Sequence, residues 1–567
     1  MIVEQLRAVQ RQFGFLPADQ LVTLSKKIDV PITRLHQVAS FFPHFRLMPP
    51  PKADVRVCRD MSCHLKGADR LRANLEQRFA GARKEDVTIG GVSCLGQCDQ
   101  APACAINELI FGGLDENRVE EMILGVLAGG ELPEPPHPRR AVECASDPYR
   151  GGERYAAVRR LVESRGFDAA LQTLKDSGLR GLGGAGFPTA AKWQAVRDQA
   201  DPEKYIVCNG DESEPGTFKD RFILTNIPHL TIEGMIAAGL ITGARKGILY
   251  IRHEYEPQIA ICEEEIRRCR EAGLVGKQIL GSDLSFELEV FVSPGGYICG
   301  EESALLEAIE GKRAEPRNKP PFPVVQGLWN KPTVINNVET FAHAAQVLVR
   351  GVDAYKAQGL YGTAGLKFVG VSGDVLRPGV YELPMGTPMS DLIYKHAGGL
   401  PDGRKLKAFA PSGPSAGYLP ASLVDVHLDF KSLADAGSML GSGAVVVCAE
   451  PTCMLDMALS ATQFYRNESC GKCVPCRVGS QKMVEILTGW TRGRGNDSDL
   501  ALVNELSQAL VLTSICGLGQ VVPAPIASVL KHFRDEVEAH ITRHECPSGI
   551  CFPQAPTRAT SASAGLA

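Results

Sequence analysis

Cysteines and glycines carry the chemistry that this chain announces. Between Gly178 and Gly186 stand five glycines, in GLRGLGGAGFPTAAKW, and a lysine, Lys192, follows. A glycine-dense loop lets backbone N–H groups approach a phosphate with no Cβ in the way. The segment from Pro188 can open a helix whose N-terminus favours an anion. Gly181-x-Gly183-x-x-Gly186 matches a dinucleotide fingerprint, but that fingerprint needs a preceding strand. Here Phe167, Leu171 and Leu174 recur at helical spacing, and Gly178 is placed as a C-cap. On its own the pattern reads as a structural glycine loop.

Eight of the 18 cysteines fall into two constellations. Cys58-x4-Cys63 and Cys94-x3-Cys98 each follow a strand-like run, so both pairs sit on loops at one end of a sheet. Four such thiolates can bind a [2Fe-2S] cluster or Zn²⁺, and the spacing departs from the C-x2-C knuckle that structural zinc prefers. Cys470-x2-Cys473-x2-Cys476 can wrap one corner of a [4Fe-4S] cubane. Cys516, in TSICGLGQ, is the remote fourth ligand. Cys104 is expected to be buried and unligated. Cys546-x4-Cys551, close to His540 and His544, offers either a third metal site or, more ordinarily, free thiols beside a tail.

The elements that must position these groups can be taken in order. Residues 1–128 combine short helices, with Leu21, Leu24, Ile28, Ile32, Leu35, Val38 and Phe42 at helical spacing, and an alternating segment. That segment runs strand ADVRVC, helix GADRLRANLEQRF, strand VTIGGVSC, one strand ACAINELIF and helix ENRVEEMILGVLAG. Residues 129–153 are rich in Pro, Gly and charge and are expected to be a linker. Residues 154–350 alternate strand-like and helix-like runs, which argues for a parallel α/β sheet. Residues 365–445 shift to short strands and turns. Residues 454–545 are helical, as in a small bundle, and 552–567 are expected to be a disordered tail. The fold class is α/β multidomain.

Composition bounds the partners. With 44% apolar residues the chain can build several packed cores, and a net charge of −4 gives no argument for nucleic acid. The most apolar stretch, Ile232–Ala244, is too short to span a membrane and contains Gly, Thr and Glu. The charged start MIVEQLRAVQRQ is unlike a secretory signal. Many cysteines without such a signal fit metal ligation in a reducing cytoplasm.

Three runs together carry a resemblance: GLRGLGGAGFPT, then CNGDESEPGTFKDR at Cys208–Arg221, then GGYICGEESALLEAIEG at Gly295–Gly311. From about Arg154 to His540 the chain resembles the flavin-bearing, NADH-oxidising subunit of respiratory complex I. The same family includes the diaphorase subunits of NAD-dependent formate dehydrogenases and NAD-reducing hydrogenases. The first ~130 residues resemble the thioredoxin-like [2Fe-2S] subunit that accompanies it, so the two are fused here. ESCGKCVPCR matches the family's [4Fe-4S] loop. The resemblance implies a thioredoxin-like ferredoxin domain, a Rossmann-like FMN domain, a β-grasp domain and a C-terminal helical bundle.

It also implies site roles. Gly181, Gly183 and Gly184 would pack against FMN, with Lys192 as a nearby cation. Asn209, Asp211 and Glu212 would line the ribityl and ring edge. Tyr297, Gly300, Glu301 and Glu302 would close the other side, and Asn336 and Asn337 would approach the phosphate end. Phe187 and Phe322 would sandwich adenine, while Lys319 and Glu214 contact the nicotinamide nucleotide. Adjacent acids are usually just solvated, and paired carboxylates also serve hydrolases. Hydride transfer needs neither base nor nucleophile, so Glu214 and Glu302 are expected to align NAD(H), with no catalytic side chain. Leu182, Gly210 and Ala190 depart from the complex I pattern, Leu182 standing where arginine is usual. The implied partner is a larger iron–sulfur subunit with a molybdenum or tungsten pterin that oxidises formate. A hydrogenase partner and a fused complex I arm are the alternatives. A flavin-less, metal-stabilised scaffold is the non-enzyme reading.

Overall fold

The computed structural model describes residues 2–135, 143–150, 152–496 and 498–552. The expected tail lies outside them except for its first residue. Three helices, Ile2–Phe13, Ala18–Lys27 and Ile32–Ala39, open the chain. Their Leu6, Leu21, Leu35 and Val38 are fully buried.

The first sheet has the order β2-β1-β3-β4, with β1 Ala53–Cys58, β2 Val87–Val92, β3 Ala103–Ile106 and β4 Leu109–Gly112. β1 and β2 are parallel. Their C-terminal ends therefore lie together, and both cysteine pairs leave from that edge. ACAINELIF is two strands, not the single strand expected. Asn107 and Glu108 both take positive φ, 48° and 73°, and turn the chain into a hairpin. Two consecutive left-handed residues are the signature of a tight hairpin turn, and asparagine accepts that conformation readily.

The second sheet is wholly parallel: β5 Tyr205–Gly210, β6 Lys246–Arg252, β7 Glu287–Ser293 and β8 Thr333–Asn337, in the order β7-β6-β5-β8. Strand order reverses between β5 and β8, and ligands of open α/β sheets bind at such a point, beyond the carboxyl ends. Behind the sheet runs helix Pro228–Thr242, in which every residue is buried. A Cβ on Gly234 would meet Phe341 O at 2.0 Å, so glycine there lets this helix lie against helix Val338–Arg350. The segment expected as a linker is docked over part of its length. Ala145 and Ser146 donate backbone N–H groups to Glu382, and Tyr149 Oη donates to Glu233.

The third sheet is mixed: β9 Leu366–Gly373, β10 Gly379–Pro384, β11 Leu406–Pro414, β12 Leu419–Pro420 and β13 Ala444–Ala449, ordered β10-β9-β13-β11-β12. β9 and β13 are parallel and the other pairs antiparallel. Helices Met454–Glu468, Ser480–Trp490, Ser498–Thr513 and Ala524–His532 follow, with Trp490 fully buried among them, and then a short helix Arg534–Glu538 that continues into a last helical turn, Ala539–Arg543.

Candidate flavin and iron–sulfur site

β5 and β8 run in register, Cys208 opposite Asn336 and Asn209 opposite Asn337. The polar residues of both therefore emerge at the switch point. Asn209 Nδ2 donates to Gly300 O at 2.8 Å, joining β5 to the loop after β7. Asn337 Nδ2 donates to Asp220 at 2.6 Å, and its Oδ1 accepts from Lys219 at 3.0 Å and caps the next helix through Glu339 N. Asn336 accepts from the buried Trp193 indole at 2.9 Å. β8 is absent from the elements that the sequence pattern suggests, although TVINN after Pro332 carries β-branched residues that mark a short strand.

The glycine loop lies against this edge. A Cβ on Gly183 would come within 2.6 Å of Asn337 Cβ, so only glycine fits. Gly184 has φ +142°, and a Cβ there would meet nothing within 4 Å, so the backbone borders open space. Gly181 is held by its N–H to Phe187 O at 2.8 Å. Helix Phe167–Ser177 precedes the loop and ends at Gly178 with φ 72°; helix Thr189–Arg197 follows it. Leu182 is buried in the apolar core and donates its N–H to Thr340.

A second group gathers beside it. Lys192 Nζ donates to Ile335 O at 2.9 Å and stands 3.7 Å from Glu302 and 6.0 Å from the centre of the Phe187 ring. Lys319 bridges Glu301 at 2.7 Å and Glu302 at 2.9 Å. Glu301 also caps helix Glu302–Ile309 through Ser303 N and Ala304 N. Burial lowers the Lys192 pKa against the pull of Glu302. Burial also opposes charge on Glu302, but Lys192 and Lys319 bring its carboxyl below the usual value. Phe187 and Phe322 are both 53% exposed. An exposed ring beside a cation, as Phe187 is beside Lys192, suits stacking on a base.

The DESE run is not a set of free acids. Asp211 accepts Ser213 Oγ and Ser293 Oγ, each at 2.6 Å, and burial lifts its pKa to about 6. Glu212 accepts Asp220 N, Arg221 N and Tyr255 Oη, and burial, then the charge of Asp220, lifts it to about 7. Glu214 accepts Ser415 N at 2.9 Å from the mixed-sheet domain, and burial raises its pKa too. Ser213, Ser293, Ser415, Trp193 and Lys219 are contributors that sequence reasoning missed. Each is ordinary in type, and only the fold brings it here.

Cys58, Cys63, Cys94 and Cys98 are all buried and converge, with Cys94 and Cys98 sulfurs 3.4 Å apart and Cys58 close to both Cys63 and Cys94. Gly216 N, from the flavin-side loop, donates to Cys98 Sγ at 3.3 Å. Four buried thiols with an outside N–H donor fit a [2Fe-2S] cluster. Cys470, Cys473, Cys476 and Cys516 gather at the end of helix Met454–Glu468, where burial raises the thiols of Cys470, Cys476 and Cys516. Between the two loops lies a cavity of about 610 Å³ bordered by Arg59, Cys94, Tyr297, Glu468 and Cys470. Glu468 spans the loops: it accepts from Ser93 Oγ and, at 2.7 Å, from Tyr297 N. Cys104 lies buried in β3, where burial pushes its thiol up to about 12. Among the described residues no helix is long and apolar enough to cross a membrane.

Known families match the chain region by region. Residues 1–126 match the thioredoxin-like [2Fe-2S] ferredoxin family, and 174–346 the Nuo51 FMN-binding domain. Residues 368–419 match the SLBB domain, and 456–540 the NADH-ubiquinone oxidoreductase-F iron-sulfur binding region. An NADH-quinone oxidoreductase subunit of Rhizobium meliloti is 44% identical over 399 residues, 70% of this chain and 95% of that protein. The NADP-reducing hydrogenase subunit HndC of Solidesulfovibrio fructosivorans is 42% identical over 402 residues, 71% of this chain and 81% of that protein. A chain in the crystal structure of an NAD+-reducing [NiFe]-hydrogenase in the air-oxidized state superposes with a TM-score of 0.85 at 33% identity. That match covers 95% of this chain and 93% of the other. The chain therefore belongs to the family of NADH-oxidising diaphorase subunits that bind FMN and a [4Fe-4S] cluster, with a thioredoxin-like [2Fe-2S] domain fused to it.

Proposed function

We propose that this chain is the diaphorase subunit of a cytoplasmic NAD-dependent formate dehydrogenase. In that reading, electrons from a larger molybdenum- or tungsten-pterin subunit reduce NAD⁺. Bound FMN supplies hydride exchange with NAD(H) and single-electron exchange with iron–sulfur clusters. The chain's own residues bind and orient. The glycines at Gly181–Gly184 give backbone access beside Asn337, while Asn209, Asn336 and Asn337 form a polar edge at the switch point. Lys192, Glu301, Glu302 and Lys319 make a cation–carboxylate net beside them, with Phe187 and Phe322 as stacking faces for adenine. Asp211 and Glu212 shape the loop through their serine, tyrosine and backbone donors. Glu214 and Glu302 would align the nicotinamide nucleotide, with Lys319 as a further contact, and Tyr297 would close the flavin's other side. None of these groups is asked to move a proton.

One observation carries the reading: the polar ends of β5 and β8 meet the glycine loop at the switch point, with both cysteine sets close by. Two features set the chain apart from complex I: the thioredoxin-like module is fused to the flavin module, which complex I usually keeps apart, and Leu182 replaces the arginine usual there. Both fit a formate or a hydrogen partner alike, and formate is preferred on overall resemblance, including the short CPSGIC tail. A hydrogenase partner is the second reading, favoured by the near full-length match to the NAD+-reducing [NiFe]-hydrogenase chain. The native complex, purified anaerobically, should reduce NAD⁺ with formate and not with H₂. A nickel-containing partner, with H₂ activity and no response to formate, would overturn the formate assignment and leave the diaphorase intact.

A further inference from the structure

Cys453, His540, Cys546 and Cys551 come from three separate stretches of chain, yet their ligand atoms all lie within 4.8 Å of one another. Cys453 Sγ is 3.5 Å from Cys551 Sγ and 3.6 Å from His540 Nε2. We propose that these four residues form a structural Zn²⁺ site, distinct from both cluster sets.

The spacing is that of a single ion. Zn–S bonds near 2.3 Å and Zn–N bonds near 2.0 Å in a tetrahedron put neighbouring ligand atoms roughly 3.4–3.8 Å apart. A cluster of two or more irons would spread its ligands further. A disulfide between Cys453 and Cys551 would need their sulfurs at about 2.05 Å and would leave Cys546 and His540 without purpose. Three thiolates with one imidazole is a common closed zinc set, with no position left for catalysis.

The surroundings are arranged for it. His540 is fully buried, and its Nδ1 lies 2.7 Å from Glu536 O. That bond places the proton on Nδ1 and leaves the Nε2 lone pair facing the sulfurs. Glu536 is itself fixed, since Met454 N and Lys407 Nζ each donate to its carboxylate at 2.8 Å. Cys453 is fully buried and stands at the N-cap of helix Met454–Glu468, where the helix end favours a thiolate. Gly549 N closes a turn on Cys546 O at 2.9 Å, which brings Cys551 back towards the other ligands. The iron–sulfur family match ends at residue 540, before Cys546 and Cys551. Binding displaces the thiol protons to solvent, and zinc undergoes no redox change, so the site adds no electron carrier. It acts as a clasp. It ties the exit of the mixed sheet, the last helical turn and the terminal loop to the helix that leads directly into Cys470.

The test is metal analysis of the anaerobically purified full chain and of a Cys546→Ser/Cys551→Ser variant. These two cysteines are half-buried and lie outside the proposed flavin and cluster sites. Wild type should carry one zinc per chain beside its iron. The variant should lose the zinc, keep its iron and flavin, and be cut faster by trypsin after Arg543. Grown with cobalt, wild type should show the absorption of tetrahedral thiolate-bound Co²⁺, and the variant should not. Wild type without zinc or cobalt at this site, or a variant that retains its zinc, would overturn the proposal. So would loss of iron in place of zinc.

Discussion

Asp211 shows how one side chain's surroundings differ from its sequence appearance. In DESEPG it looks like one of several solvated acids. In the fold it is 8% exposed and held by two serine hydroxyls. Burial lifts its pKa to about 6 against the pull of Arg252. The sign follows from proton counting. Between the ordinary carboxyl value near 4 and about 6, the folded state holds a proton that the unfolded state has released, so stability falls as pH rises through that window. Asp211→Asn removes the ionisation and nearly keeps the shape. Its thermal midpoint relative to wild type should rise from pH 4.5 to pH 7.5, with a ceiling of about 3 kcal/mol at ~1.4 kcal/mol per pKa unit. A difference that stays flat across that range, measured by differential scanning calorimetry, would show that Asp211 is ionised throughout. Gly210, where alanine is usual, has an equally local reason. A Cβ there would meet Tyr250 O at 2.8 Å, so in this chain β6 lies closer than an alanine allows without a backbone shift.

At the scale of elements, the period-two and period-3.6 patterns expose β1, β2, β5, β6 and β7, because each is an apolar run bounded by turn residues. They expose β8 poorly, since Asn336 and Asn337 interrupt its short apolar run. They miss the hairpin at Asn107–Glu108, where neither residue is glycine. What the sequence hides entirely is how elements lock together. Glu339 opens helix Val338–Arg350, and Lys367 begins the mixed sheet. Lys367 Nζ stands 2.6 Å from Glu339, Lys219 Nζ stands 3.1 Å away, and Phe368 N donates to the same carboxylate at 2.8 Å. All three charged side chains are at most 1% exposed. Burial opposes charge on Glu339, yet the two ammonium groups hold its carboxyl well below the usual range. Removing Glu339 leaves Lys367 without its buried carboxylate, whereas Lys219 keeps Asp220 at 2.6 Å. Glu339→Gln should destabilise the flavin and mixed-sheet domains by about 3–5 kcal/mol, read as a fall of several degrees in the thermal midpoint. A loss below about 1 kcal/mol would mean that the lysines are neutral in the folded protein.

Across the whole molecule, the cysteine spacings already point to two cluster loops, because each set is local apart from Cys516. The convergence at Cys453 and His540 is not legible, since Cys453 and Cys551 lie 98 residues apart. Nor is the docking of the thioredoxin-like domain, which touches every other domain. Ser62 meets Ser372 of the mixed sheet at 2.8 Å, and His64 Nε2 meets Asp456 of the helical domain at 2.6 Å. Gly96 has no room for a Cβ against the Tyr255 ring, 2.6 Å away. The firmest of these contacts is Arg221. Its Nη2 donates to both oxygens of Asp99, at 2.8 and 2.7 Å, and its Nη1 donates to Gln97. Asp99 adjoins Cys98, so this arginine anchors the loop that carries one proposed cluster ligand to helix Lys219–Asn226. Charge-assisted contacts of this kind, largely withdrawn from water, cost several kcal/mol when one partner is lost. Arg221→Met should therefore loosen the thioredoxin-like domain without touching the proposed FMN and NAD(H) ligands. Two readouts check this. Limited proteolysis should cut within residues 129–153 faster than in wild type and release the N-terminal domain. The electron paramagnetic resonance signal of the reduced [2Fe-2S] cluster should broaden or shift, while NADH oxidation by an artificial acceptor continues. An unchanged cleavage rate and an unchanged signal would mean that the remaining contacts, among them those of Ser62, His64, Ser93 and Gly96, hold the domain in place without Arg221.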